Sequence, residues 1–432
     1  MFNEFAPIGR RTFLGGAALS LTGSLAGGHH STTAAPQTTP STKPSEALAR
    51  KRLAFTVEEY RARVAKVQKS LADRKLDALL VHNMANICYL TGLESIAPHK
   101  YWLCLVPAVG DPILLLQDFE SHNAMVTSWV DQLATYKIFD DPIAATHKLL
   151  QSRILDAKRL GIELGPLSSL STQNYLRLDE TLPAAKLIDA TDLVACVAAI
   201  KSPNEIAYLR EAARISSAAM RAAIKTIQQG STDNDVAAVA AARLIGEGSE
   251  YQCYQPIVTV GPRSGVPHTT FQRIPIRPGD PVFMEFAGCV RRYSSPVMRT
   301  AVIGKPSEKM KRMFDLCLTS VNASLDNMKP GAVTGDVATM SEKAMGRLPS
   351  GWVWHGCYAY SIGLGFPPEW ADCGDVDVVK GNKAVLQPGM VFHCSTSIRD
   401  PGKLGTTCSE TVLITDRGCE VLTDLPRELF VC

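Results

Sequence analysis

Four residues in the second half of the chain recur at a fixed interval: Gly230, Asp235, Val236 and Ala237 reappear as Gly331, Asp336, Val337 and Ala338, each 101 positions later. Each set follows a long segment with apolar residues at helical spacing. Farther along, Arg277-Pro278-Gly279 and Gln387-Pro388-Gly389 each open an apolar strand. A helix-helix-strand unit cannot bury its apolar face alone. Two copies predict one shared sheet with pseudo-two-fold symmetry and helices on one side.

The first half follows a different pattern. From Phe55 to about Asp192, helix and strand alternate: Thr56 is placed to cap a helix whose Val57, Tyr60, Val64, Val67 and Leu71 share a face, and Ala78 to Val81 reads as a buried strand. Leu103 to Val106 and Ile113 to Leu116, separated by Pro107 to Pro112, read as a hairpin, and Leu160 to Leu164 as a further strand. The expected organisation is an α/β domain over 55–192, then a boundary near Ala190 to Lys201, then a second domain over 196–432. Ser202-Pro203-Asn204-Glu205 forms a capping box that starts a long helix ending before Gly230.

Residues 1–50 stand apart. Gly9-Arg10-Arg11-Thr12-Phe13-Leu14 precedes a Gly/Ala-rich stretch, Gly15 to Ala26, and resembles a twin-arginine export signal, with Ser31 to Ser45 as a linker. Export to the periplasm is the expectation; an uncleaved tail on a cytoplasmic protein is the alternative. The 12 cysteines, all between Cys88 and Cys432 and without a C-x-x-C pair, read as buried fillers. With 432 residues, 46% of them hydrophobic, the chain can bury two cores. A formal charge of +3 without basic runs argues against nucleic acid as a partner. No apolar run reaches the roughly 18 residues of a membrane span.

The segment Gly279 to Thr300, GDPVFMEFAGCVRRYSSPVMRT, carries the chemical signal. With Ile87-Cys88-Tyr89-Leu90-Thr91-Gly92, Lys201 to Ile206, Gly265-Val266-Pro267-His268, Tyr360 to Trp370, Pro388 to His393 and Ser409 to Thr415, it resembles the pita-bread family of methionine aminopeptidase, prolidase, aminopeptidase P and creatinase. The resemblance implies an N-terminal creatinase/prolidase-like α/β domain followed by a C-terminal pita-bread catalytic domain. It also implies where the metal-using members hold two divalent cations. Those five ligand positions fall here on Glu285, Pro296, Tyr360, Ser395 and Ser409. Glu410, next to Ser409, points to the opposite face of a strand. One carboxylate cannot hold two cations, so the expectation is no metal and no cofactor, as in the metal-free ectoine hydrolase and creatinase branch. Cys357-Tyr358-Ala359, Cys394-Ser395-Thr396 and Met298 depart from that branch.

The branch implies hydrolysis of a non-peptide carbon-nitrogen bond in a small amidine, guanidine or amide. Such a reaction needs a base or nucleophile, a proton for the leaving nitrogen and a cation for a substrate carboxylate. Glu285 can pair with a substrate cation, activate water or attack directly; an ordinary structural ion pair is the competing role. His268 is the candidate proton shuttle, and Tyr360 the candidate donor to the leaving nitrogen. Arg299 and Arg292 are candidate carboxylate clamps, against a role in sheet-face ion pairs. His393, Trp370 and Phe271 are candidates for the pocket wall, against simple core packing. Tyr101 and Trp102 are candidates for reaching a neighbouring site in a homodimer. Two other readings use the same residues: a metal-dependent Xaa-Pro peptidase, and a non-catalytic periplasmic binding protein for a small molecule.

Overall fold

The computed structural model describes residues 52–154, 156–354 and 357–432. The twin-arginine segment and the linker through Ser45 lie outside the described residues. Helix α1 (Val57–Arg74) begins where Thr56 accepts the Glu59 amide, and it buries Tyr60, Val64, Val67 and Leu71 at intervals of three and four. There follow β1 (Ala78–Val81), α2 (Met84–Thr91), β2 (Leu103–Pro107), β3 (Ile113–Gln117), α3 (Ser121–Thr127), β4 (Leu133–Tyr136), α4 (Pro142–Arg153), β5 (Arg159–Ile162), α5 (Thr172–Thr181) and β6 (Lys186–Asp189). Their strands form one mixed sheet in the order β4-β3-β2-β1-β5-β6, with β2 and β3 as the antiparallel hairpin. Strand β1 is buried along its whole length, which is why it reads as a continuous apolar run.

Short helix α6 (Leu193–Ala198) leads to α7 (Pro203–Thr226). The Ser202 hydroxyl accepts the Glu205 amide while the Glu205 carboxylate accepts the Ser202 amide, a complete capping box. The chain continues through α8 (Asp233–Gly246), β7 (Ile257–Val260), β8 (Pro281–Val290), β9 (Tyr293–Val302), α9 (Glu308–Asn327), α10 (Thr334–Met345), β10 (Val353–Trp354), β11 (Ala359–Phe366), β12 (Glu369–Ala371), β13 (Val391–Asp400), β14 (Leu404–Thr415), β15 (Gly418–Val421) and β16 (Phe430–Val431). The main path of this second sheet runs β15-β14-β13-β11-β9-β8-β7.

The repeat is visible in three dimensions. Helices α7 and α8 pack together with α7 on the β8-β9 hairpin, and α9 and α10 pack together with α9 on the β13-β14 hairpin. The matched glycines share their backbone: Gly230 and Gly331 have φ of 91° and 82°, and Gly279 and Gly389 have φ of 85° and 91°. These left-handed turns are open to glycine at no steric cost. No helix among the described residues is long and apolar enough to cross a membrane.

One contact sets how closely α7 lies on its hairpin. The Ser216 hydroxyl donates to the Ser295 carbonyl at 2.6 Å and accepts from the Gly288 amide at 2.7 Å. A Cβ on Gly288 would stand 2.6 Å from the Ala212 carbonyl oxygen. Backbone cannot yield as a flexible side chain can, and overpacking of this kind costs about 1–3 kcal/mol. Gly288→Ala is therefore expected to lower the unfolding free energy by that amount in urea denaturation. Wild-type stability in the variant would mean that α7 lifts freely from the sheet.

Candidate active site

Strand alternation builds the site. On β8, Val282, Met284 and Phe286 enter the core beneath α7 and α8, which leaves Phe283 and Glu285 on the other face. Met298 lies directly opposite Glu285 on β9. Tyr360 of β11 and Ser395, Ser397 and Arg399 of β13 join them around a cavity of about 380 Å³. Val266, His268 and Thr269 form one rim, Glu369, Trp370 and Ala371 of β12 and Asp377 add further wall, and Tyr254, Ile257, Thr259 and Cys357 complete the lining.

Glu285 is the electrostatic centre. Its carboxylate meets the cavity but is otherwise enclosed by protein, and burial pushes its pKa up to about 7 against the opposing pull of Arg399. Arg399 is 5% exposed. Burial pushes its pKa down while Glu285 draws it up. Among the described residues its guanidinium makes one hydrogen bond, from Nη1 to Ser397 Oγ at 3.1 Å, and its buried Nε has no acceptor. Asp377, which accepts the Ser361 amide at 2.9 Å, is likewise pushed up to about 7 by burial.

A chain of hydrogen bonds fixes the proton on Tyr360. Tyr360 and His393 face each other across β11 and β13, with Oη and Nδ1 2.6 Å apart, and His393 Nε2 is 2.6 Å from Ser409 Oγ. Ser409 Oγ also accepts from the Met298 amide, and Tyr360 Oη also accepts from Trp370 Nε1. Burial, with Arg299 nearby, depresses His393 to about 3, so the ring is neutral and has a single N–H. The buried Ser409 hydroxyl hydrogen has His393 Nε2 as its acceptor among the described residues. Donor accounting then assigns the ring hydrogen to Nδ1, donating to Tyr360. The phenol accepts twice, and its own hydrogen is left for the cavity.

His268 occupies an exposed turn at the rim with φ of 54°, rare for a residue with a Cβ. The turn is pressed against the β13-β14 connection: Ser264 Oγ accepts the Gly405 amide at 2.8 Å, and a Cβ on Gly265 would stand 2.6 Å from the Asp400 carbonyl oxygen. That close approach carries His268 to the cavity that Arg399 lines. Trp370 serves both wall and scaffold, since its ring lines the cavity while its N–H holds Tyr360.

Other expected site residues lie elsewhere. Arg299 pairs across the hairpin with Met284, not Glu285, so its side chain takes the face away from the cavity. There it meets Glu410 at 2.8 Å and the Ser409, Leu425 and Pro426 carbonyls. Arg292 is buried in the β8-β9 turn, held by the Gly365 and Tyr251 carbonyls and stacked on Tyr251. Neither clamps anything in the cavity. His393 stands behind Tyr360 and does not line the wall, and Phe271 packs against the core beneath α7 and α8. Tyr101 and Trp102 are buried in the first sheet's core, with Tyr101 Oη bonded to Thr146 and Trp102 Nε1 to the Ala97 carbonyl, so neither projects outward. Arg399, Glu369 and Asp377 complete the charged wall. For Arg399 the available signal was its spacing of four from Ser395, two strand periods on the same face.

Fold and cavity together define a two-domain hydrolase of the pita-bread type. Residues 63–197 match the creatinase/prolidase N-terminal domain and residues 207–416 match metallopeptidase family M24. Ectoine hydrolase from Halomonas elongata is 30% identical over 405 residues, covering 88% of this chain and 98% of that protein. A Xaa-Pro dipeptidase from Pyrococcus furiosus is 25% identical over 367 residues, covering 85% and 99%. The prolidase of Pyrococcus horikoshii superposes with a TM-score of 0.74 at 24% identity, covering 85% of this chain and all of that one. The chain belongs to metallopeptidase family M24.

The donor set does not fit the dinuclear centre the family name implies. Pro296 offers no ligand atom; Tyr360 Oη and Ser409 Oγ are committed to His393; Ser395 offers a neutral hydroxyl. Glu410 is turned away into its pair with Arg299. Glu285, Glu369 and Asp377 do not converge either. The group of three potential ligands that does converge among the described residues, Asp192, Cys196 and Asp375, lies outside the cavity wall.

Glu285 leaves a thermodynamic signature. Its folded-state pKa, about 7, lies above the ordinary 4.5. Stability linked to its proton is therefore whole below about 4.5 and is lost as pH rises to about 7. Glu285→Gln removes that loss. The variant should match wild type near pH 4 and exceed it near pH 8 by roughly 1–3 kcal/mol, after allowing for water in the cavity. A pH-independent difference in thermal melts would show that Glu285 titrates normally.

Proposed function

We propose that this protein hydrolyses a non-peptide carbon-nitrogen bond in a small amidine, guanidine or amide, without a divalent metal. The observation that carries this reading is a cavity lined by Glu285, which remains at a family ligand position, while Pro296, Tyr360, Ser395 and Ser409 stand at the other four positions. Similarity to ectoine hydrolase over most of both chains supports the substrate class.

A pKa of about 7 suits Glu285 to act as general base at neutral pH. The carboxylate takes a proton from water as the oxygen adds to the electrophilic carbon. It is also the counter-charge for a delocalised cation there. The Tyr360 hydroxyl, held by Trp370 and His393, donates to the nitrogen that leaves. The proton that Glu285 took from water is then returned to Tyr360 through solvent and His268 at the rim, so that both groups regain their starting state. The protein works in this reading as an exported homodimer.

Purified protein should hydrolyse ectoine or a related small amidine at an undiminished rate in chelator. Glu285→Gln should reduce kcat by about 10²- to 10⁴-fold, with His268→Ala reducing the rate by a smaller factor. Activity confined to Xaa-Pro dipeptides and dependent on added divalent metal would replace this reading with that of the dipeptidase relatives. Binding of cationic solutes without turnover would make the protein a receptor.

A further inference from the structure

The cavity contains a cation that the chemistry above does not use. Arg399 is nearly fully buried on β13, over the Phe283 ring with its guanidinium carbon 4.6 Å from the ring centroid. Ser397 Oγ takes one of its five N–H groups, and its Nε has no acceptor. Glu285 shares the cavity without forming an ion pair in contact with it. Arginine stays charged in almost any surroundings, and a buried guanidinium presents a planar fork that matches a carboxylate in two parallel hydrogen bonds. Apart from the bond to Ser397, the Nη hydrogens have no acceptor among the described residues, and the cavity that Arg399 lines is the space open to a ligand that would accept them.

We propose that Arg399 is a carboxylate-binding subsite, so that the cavity takes a small zwitterion with its anionic end on Arg399 and its cationic carbon-nitrogen centre at Glu285. The cationic half rests on the function proposed above; the anionic half stands on Arg399 itself. A carboxylate fits better than a phosphate. Glu285, Glu369 and Asp377 line the same space, and a dianion without a compensating positive group would meet all three. A zwitterion brings one charge for each end of the cavity and has no net charge to repel.

The test is equilibrium calorimetry with matched pairs: ectoine and the same ring without its carboxylate, and guanidinoacetate and methylguanidine. In wild type the carboxylate member of at least one pair should bind 10- to 100-fold tighter, roughly the range for a charge-assisted hydrogen-bonded pair. Arg399→Met should bring the two members within about twofold of each other, while the carboxylate-free member binds as well as before or better. Glu285→Gln should weaken both members and keep the preference. Arg399→Lys keeps the charge but loses the fork, and if the methionine variant does not fold, the lysine variant decides alone: the preference should fall at least about threefold. Equal binding within both pairs in wild type, no binding of any probe, or an undiminished preference in the Arg399 variants overturns the proposal. Turnover assayed in parallel separates the two ideas. A lost preference without any hydrolysis leaves the subsite and removes the reaction; hydrolysis with preference intact in Arg399→Met does the reverse.

Discussion

The site depends on two opposite charges removed from water on one face of one sheet and kept from closing on each other. Glu285 and Arg399 stand on β8 and β13, strands separated by β9 and β11, and each is held by a ladder that cannot shift by one residue without exchanging its faces. Had the two side chains met, they would have formed an ordinary buried ion pair. Instead the desolvation of each is only partly offset by the other, which raises the carboxylate pKa and lowers that of the guanidinium. The cavity is thus electrostatically unfinished, and a polar ligand is its natural completion.

The same chain shows what a finished pair looks like. Arg299 and Glu410 meet at 2.8 Å with both side chains buried, four backbone carbonyls accept from the guanidinium, and Thr423 bonds the other carboxylate oxygen. Every strong donor there has an acceptor close by. That cluster joins β9 to β14 and to the chain beyond β15, and it lies behind the sheet from the viewpoint of the cavity. It also places a positive charge near His393, helping to keep that ring neutral. The structural cation therefore contributes to the site indirectly, through the proton arrangement on Tyr360.

The architecture was legible in the sequence because its signals are local and repeated: a capping box at Ser202, left-handed glycines at matched positions and apolar runs of strand length. Glu285, His268, Tyr360 and Trp370 could be placed in one cavity from motif order. The arginines could not. Arg292 and Arg299 both follow Glu285 within the same segment, but the two-residue period sends Arg299 to the opposite face and a turn swallows Arg292. Arg399 sits more than a hundred positions from Glu285, and its inward direction follows only if Ser395 is taken as inward and the alternation is counted forward. Asp377 gave no signal, since it follows an irregular segment after β12 where no period assigns a face. Tyr101 and Trp102 misled because they follow the turn at Gly92, where aromatics suggest an exposed loop, yet they fold back into the core of the first sheet.

The junction between the two sheets shows how a motif read as a helix start can also position the cavity wall. Lys201, just before the capping box, is buried against Asp372 at 2.6 Å, and Gly363 leaves room for that carboxylate, since a Cβ there would stand 2.3 Å from it. Asp372 directly follows β12, the strand that carries Glu369 and Trp370. On the other side, Glu205 accepts from the Tyr293 hydroxyl at 2.8 Å and faces Arg63 of α1 at 3.5 Å, while Glu59 of α1 accepts from Ser202. These groups are paired through one another, so removing a single partner strands the rest in a low-dielectric setting. The first domain is in this way part of the site's support even though none of its residues lines the cavity. It fixes α1 against the start of α7, α7 holds the β8-β9 hairpin through Ser216, and Lys201 holds β12. Glu285 and Tyr360 inherit their separation from that framework rather than from any direct bond between them.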